Sequence, residues 1–289
     1  MNNFKIGKTS TINSNLSAID DTVVIGNNVQ INCDSIKLGK FCYIGDDVKI
    51  NCKKFEVGDW LYMTDRVEIG RGGCTSPDSV VKIGNHVGIF EDTIINPSSR
   101  VEIGDNVGIG AEVMIWTHGA WLDTLKGYPA NFGPVKIGKD VWLPARSIVL
   151  PNVSIGSDTV IGIGSVINKD IPSGCLAAGS PCKVIKEDCY PKELDDYEKD
   201  QIVWSIVQNW IASLKHKGVE GITVEYDAGK IRLYREKDKL KITCVDTFER
   251  TISGYHDDVS EDLRDFLRRM GIKIYTDKHF KSIPIKEFQ

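Results

Sequence analysis

Residues 135–185 read VKIGKDVWLPARSIVLPNVSIGSDTVIGIGSVINKDIPSGCLAAGSPCKVI. Counted in sixes, Ile137, Leu143, Val149, Ile155, Ile161 and Ile167 fall on one frame without a slip, and Gly follows Ile at 137, 155 and 161. A period of six belongs neither to an α-helix nor to a single strand. It describes short flat segments joined by tight corners, each sending one apolar side chain into a column. That is the pattern of a parallel β-helix. The small residue after the apolar one suits a corner where a side chain would crowd its neighbour.

The repeat extends upstream. An apolar–charged–apolar–Gly tetrad recurs at Ile36–Gly39, Phe55–Gly58, Val81–Gly84, Val101–Gly104 and Val135–Gly138. Ile25, Ile31, Ile44, Ile50, Met63 and Ile69 fill the intervening corners. About seven or eight coils of three faces are expected between Ile6 and Ile171, each burying its apolar corners only by stacking. Two coils run long. Residues 71–79 (RGGCTSPDS) form one loop, and the frame jumps from Ile115 to Ile137, so a larger loop leaves between about Thr117 and Pro134.

After Ile185 the pattern changes. Ile202, Ile206, Trp210 and Leu214 recur at every fourth position and predict an amphipathic helix over 193–216. Alternating runs at 222–226, 231–235 and 240–245 predict a meander. Val259, Leu263, Phe266, Leu267 and Met270 predict a second helix closed by Gly271, with a final strand at 272–275. The expected organisation is a mainly β chain: a β-helix domain over 1–188 and an appended small α+β module over 189–289.

The repeat and its ending resemble the hexapeptide-repeat acetyltransferases, specifically the galactoside, maltose and polysaccharide O-acetyltransferase branch. The residues that carry the resemblance are Val141-Trp142-Leu143, the run Ile161 to Ile167, Lys169-Asp170-Ile171-Pro172, and Ala178-Gly179-Ser180-Pro181-Cys182-Lys183-Val184-Ile185. The resemblance implies a left-handed winding, acetyl-CoA as acyl donor, and a homotrimer with sites between subunits. It implies His118, directly before the large loop, as the general base that removes the acceptor's proton, so that the alcohol attacks the thioester directly. A histidine suits that task because its ordinary pKa of about 6.5 lies near working pH. It also implies acetyl-CoA contacts from Trp142, Ala145, Ile163, Asn168 and Lys169, with Lys183 and Lys186 near the nucleotide phosphates. This chain departs from the family at three places: Pro144 for Gly, Ile163 for Ala, and Asn168 for Thr. The galactoside-type Asn of an upstream coil aligns with Phe90-Glu91-Asp92, which turns the acceptor away from galactosides. Glu91, Asp92 and Asn96, with loop residues Trp121, Asp123 and Tyr128, are the candidates for holding sugar hydroxyls.

The expected function is therefore acetyl-CoA-dependent O-acetylation of a sugar or glycan precursor. Two alternatives stand beside it: N-acetylation of an amino sugar or other amine, and a non-catalytic scaffold whose C-terminal module binds a partner. Composition narrows the field. The net charge of −4, with both signs mixed along the 289 residues, excludes a basic face for nucleic acid. No apolar run approaches the length of a spanning helix, and the first residues carry no signal-peptide pattern. The eight cysteines contain no C-x-x-C pair and are expected as small apolar fillers in a reducing cytoplasm, with no metal bound.

Overall fold

The computed structural model describes residues 4–235 and 238–285. It divides into two compact units, Met1–Lys192 and Glu193–Gln289.

The first unit is a parallel β-helix with three faces. Nine short strands, from Lys5–Ile6 to Leu176–Ala178, stack in parallel on the first face. That is one or two coils more than the frame predicts, and the last strand, Leu176–Ala178, lies past the end of the regular repeat at Ile171. The second and third faces are short separate strands in the later coils. In the early coils they fuse into continuous nine-residue strands, Thr11–Ile19, Gln30–Leu38 and Lys49–Val57. Register is strict: Ile31 lies against Ile50, Ile44 against Met63, and Ile103 against Ile137.

The hexad frame is the core. Ile44, Met63, Ile89, Ile109 and Leu143 form one inward column without solvent exposure, and Ile31, Ile50, Ile69, Ile95 and Ile115 another. The corners stack as closely as the strands. A Cβ on Gly104 would come within 2.7 Å of the Gly138 carbonyl carbon in the next coil, so only glycine lets the two corners approach. Cys42 and Cys175 occupy inward positions in the same stack and are buried. Burial raises the Cys42 thiol to about 12, as expected of an apolar filler.

In the second unit, helix α1 (Asp196–His216) and helix α2 (Asp258–Arg269) accompany a four-stranded antiparallel meander. Both helices begin with a capping box, from Asp195 and Asp257. The meander has one strand more than the sequence pattern indicates, Thr251–Gly254, paired with Asp238–Asp246. The buried stripe of α1 is Val203, Val207, Trp210 and Leu214, whereas Ile202 is exposed. Residues 272–275 form no strand. Ile272 and Ile274 are buried as alternation suggests, but the Ile274 carbonyl accepts from the Arg264 guanidinium instead of a neighbouring strand.

Charge inside this unit organises the returning segment. Buried Arg264 donates to Glu261 and to the carbonyls of Ile274, Lys278 and His279. Buried Asp262 accepts from Trp210 Nε1 at 3.0 Å, Lys217 Nζ at 2.5 Å and the Ile283 N–H at 2.7 Å. Among the described residues no helix is long and apolar enough to cross a membrane.

Removing the Asp262 carboxylate leaves three donors without that acceptor, two of them buried and one of these a charged ammonium. Asp262→Ala is expected to cost this unit about 3–5 kcal/mol. The check is the urea midpoint for its unfolding, which should fall clearly below that of the parent chain; an unchanged midpoint would contradict the account.

Candidate active site

Both long segments leave the β-helix at the same corner, between the second and third faces. The first follows Glu68–Ile69, and the second follows Met114–Trp116. His118 is at the mouth of the second. Buried Thr117 anchors the exit: its hydroxyl donates to the Asn96 carbonyl at 2.7 Å and accepts from the Ser99 N–H at 2.9 Å. His118–Gly119 then pairs antiparallel with Asn131–Phe132 across the loop. The Phe132 ring stacks on the imidazole at 5.9 Å between centroids, and Trp116 meets it edge-on at the same distance. Two aromatic walls fix the plane of the ring.

Its polarity is set by Asn96. The Asn96 side-chain N–H groups donate to the carbonyls of Gly70 and Gly72 at 2.8 and 3.1 Å, which fixes the amide orientation. Oδ1 therefore points toward His118 Nδ1, 3.1 Å away, and also accepts from the Ser98 hydroxyl and N–H. A carboxamide oxygen only accepts, so Nδ1 carries a hydrogen, and in the neutral imidazole the lone pair is then on Nε2. The Ser98 Oγ, 3.1 Å from Nδ1, closes the arrangement. A neutral imidazole with a free Nε2 is what a general base requires.

Asn96, expected among the groups that hold sugar hydroxyls, is buried, with its amide N–H groups on two carbonyls and its oxygen facing His118 Nδ1. The frame contains the signal for this: Asn96 lies opposite Trp116 in register, one coil away, which brings Asn96-Pro97-Ser98 beside Trp116-Thr117-His118. Ser98 and Phe132 are further members of the site that the sequence pattern did not single out.

The other candidates are dispersed. Asp92 sits at the corner between the first and second faces with both oxygens on Arg66, at 2.8 Å each. The Arg66 hydrogen bonds hold its carboxyl below the usual range. It is a rung between coils. Glu91, at the same corner, meets the Thr64 hydroxyl at 3.3 Å. Asp123 caps the short turn Thr124–Lys126 by accepting from the Leu125 N–H. Trp121 is 95% exposed, and Tyr128 half-exposed, on the loop.

Trp142 is also half-exposed and lies against Gly108 of the preceding coil. Ala145 and Ile163 follow at the corner between the first and second faces, where the Ala145 carbonyl accepts from the Gly164 N–H at 3.1 Å. Asn168 and Lys169 are exposed on the His118 corner, further along the stack. Lys183 and Lys186 stand in the strand Lys183–Lys186, which turns back antiparallel onto Leu176–Ala178.

One thiol lies near the imidazole. Cys74 Sγ is 3.7 Å from Asn96 Oδ1, and burial pushes its pKa up against weaker lowering by hydrogen bonds from Ser98 and Ser79. A thiol held protonated is a poor nucleophile.

Residues 134–169 match the family model for the bacterial transferase hexapeptide of six repeats. The galactoside O-acetyltransferase of Escherichia coli K12 is 48% identical over 54 residues, 19% of this chain and 27% of that protein. The chain thus spans little more than a quarter of the length of the curated relatives it matches. Among solved structures, a maltose O-acetyltransferase from Clostridium difficile 630 is 29% identical, with a TM-score of 0.34, covering 52% of this chain and 68% of that one. A galactoside acetyltransferase in complex with coenzyme A is 27% identical, with a TM-score of 0.31, covering 54% and 66%. In its repeat sequence the chain resembles the hexapeptide-repeat acetyltransferases, within the branch of the galactoside and maltose enzymes.

Proposed function

We propose that this protein is an acetyl-CoA-dependent O-acetyltransferase acting on a hydroxyl of a sugar or glycan precursor, with His118 as general base. The observation that carries the reading is the Asn96 contact, which favours the neutral tautomer with its lone pair on His118 Nε2, at the mouth of a loop. Nε2 takes the hydroxyl proton as the acceptor oxygen attacks the thioester carbonyl. The same proton then passes to the departing thiolate, so CoA leaves as a thiol and the imidazole returns to its starting form.

Acetyl-CoA is the donor, and the exposed Trp142, Ile163 and Asn168, with the part-buried Ala145, are the proposed contacts for its pantetheine arm. Lys169, Lys183 and Lys186 present point charges for its phosphates. Trp121, Asp123, Tyr128 and Glu91 remain candidates for the acceptor. His118 and the Trp142–Ala145–Ile163 group stand at different corners of the coil. A face of about six residues at about 3.3 Å each, roughly 15–20 Å, separates them within one chain. A neighbouring β-helix would have to bring the two groups together, and the assembly proposed is a homotrimer with three shared sites. Eight free cysteines, five of them buried, suit a cytoplasmic location.

His118→Ala is expected to lower kcat by about 10²–10⁴-fold while leaving acetyl-CoA binding in place. The measurement is CoA thiol release across a panel of hydroxyl and amine acceptors. Release driven equally by an acceptor in the variant would remove His118 as the base, and release driven only by amines would change the reaction to N-acetylation. Without acceptor, rapid mixing should show no burst of CoA; a stoichiometric burst would mean an acyl-enzyme. Nitrogen NMR should find the neutral His118 proton on Nδ1, and Asn96→Leu should remove that preference together with most of kcat.

A further inference from the structure

The corner that carries His118 continues toward the N-terminus as a column of carboxamides. Asn13, Asn32 and Asn51 lie opposite one another on successive coils. Asn13 Nδ2 donates to Asn32 Oδ1, and Asn32 Nδ2 to Asn51 Oδ1, each at 2.8 Å. The register carries the same position on to Gly70 and then to Asn96, since Ile50 pairs with Ile69 and Ile69 with Ile95. The last member of the column is therefore the residue that positions His118.

Beside this column runs an open groove of about 860 Å³, reaching from Asn13 and Ser14 to Gly73 and Cys74. A carboxamide has two N–H donors and two oxygen lone pairs, and the ladder takes at most one of each. Asn13, Asn32 and Asn51 thus each keep a donor and an acceptor for a ligand, repeating at the inter-coil spacing of about 4.8 Å. Cys33 and Cys52, nearly buried, supply an apolar floor. The charges along the groove are matched: Lys53 pairs with Asp34 at 3.3 Å, and Arg71 with Glu68 at 2.9 Å. At its inner end, a Cβ on Gly73 would meet Ser98 Oγ at 2.7 Å and lie 4.0 Å from His118 Cε1. Gly72 has open space where its side chain would be. Glycine at 73 leaves open the space beside Ser98 and His118 that a side chain would enter.

We propose that this groove binds the non-reacting part of an elongated, uncharged oligosaccharide acceptor, with the ring to be acetylated at His118. This rests on the acetyl-transfer reading. Alternating donors and acceptors at regular spacing suit a hydroxyl-bearing chain. A polyanion needs a surplus of cations that the paired lysine and arginine do not supply. An extended peptide needs unpaired strand edges, whereas Gln30–Leu38 and Lys49–Val57 along the groove are paired on both sides, and only the outermost strand, Thr11–Ile19, has a single neighbour. Remote rings held this way supply binding energy that raises kcat/KM at the reacting ring.

The test is calorimetric titration of the full chain, without acetyl-CoA, against neutral oligosaccharides of increasing length: maltooligosaccharides and β-1,4-linked N-acetylglucosamine oligomers of one to six rings. Affinity should rise with length in at least one series and then level off. Asn32→Trp, which fills the groove midway, should weaken the longest oligomer by about tenfold or more, comparable to losing two hydrogen bonds. Asn32→Ala removes the carboxamide without adding bulk and should weaken it in the same direction; thermal melts confirm that each variant is folded. No gain with length in either series, undiminished binding by the folded variants, or tighter binding of an oligosialic acid would each overturn the proposal. CoA release separates the two readings. Oligomers that bind through Asn32 but never drive release would sink the transfer reading and leave the groove, and length-independent release would do the reverse.

Discussion

The structure depends on the stacking of one coil on the next. No coil of the β-helix has a core of its own: Ile89 is buried because Met63 lies against it on one side and Ile109 on the other. The six-residue period follows from this constraint, since any slip would turn the inward side chain of one coil away from the column. Glycine at the corners follows from it as well. A rigid stack can hold irregular segments without loss of register, and it holds two, both at one corner.

That rigidity is what makes a lone histidine a defined chemical group. Imidazole alone is ambiguous between two tautomers, and a loop histidine ordinarily samples both. Here the Asn96 amide is oriented by two backbone carbonyls from the coil before it. Its oxygen imposes one tautomer on His118, with Phe132 and Trp116 fixing the ring plane. Three successive coils therefore define one lone pair. The same corner extends the arrangement outward, because the asparagine column and the glycines at 70, 72 and 73 belong to the register that places Asn96.

The second unit is built on another principle. Its helices and meander enclose charged side chains, with Asp262 and Arg264 gathering donors and carbonyls from segments distant in sequence. Buried charges require partners, and here the partners come largely from the stretch after α2. That stretch alternates like a strand yet is tied by guanidinium and carboxylate contacts.

The sequence by itself determined the β-helix, its three-faced coils, the two protruding loops and the placement of His118 at the mouth of one. Each of these follows from a local period or a break in it. It also marked both helices of the second unit, because apolar spacing and capping residues are local. Tertiary structure decided what depends on neighbours one coil away or farther: the role of Asn96, the engagement of Asp92 by Arg66, and the carboxamide column. It also decided the fate of residues 272–275. Periodicity states which way a side chain points, inward or outward. Which polar group it then meets is a matter of register between coils and of charge satisfied across the chain.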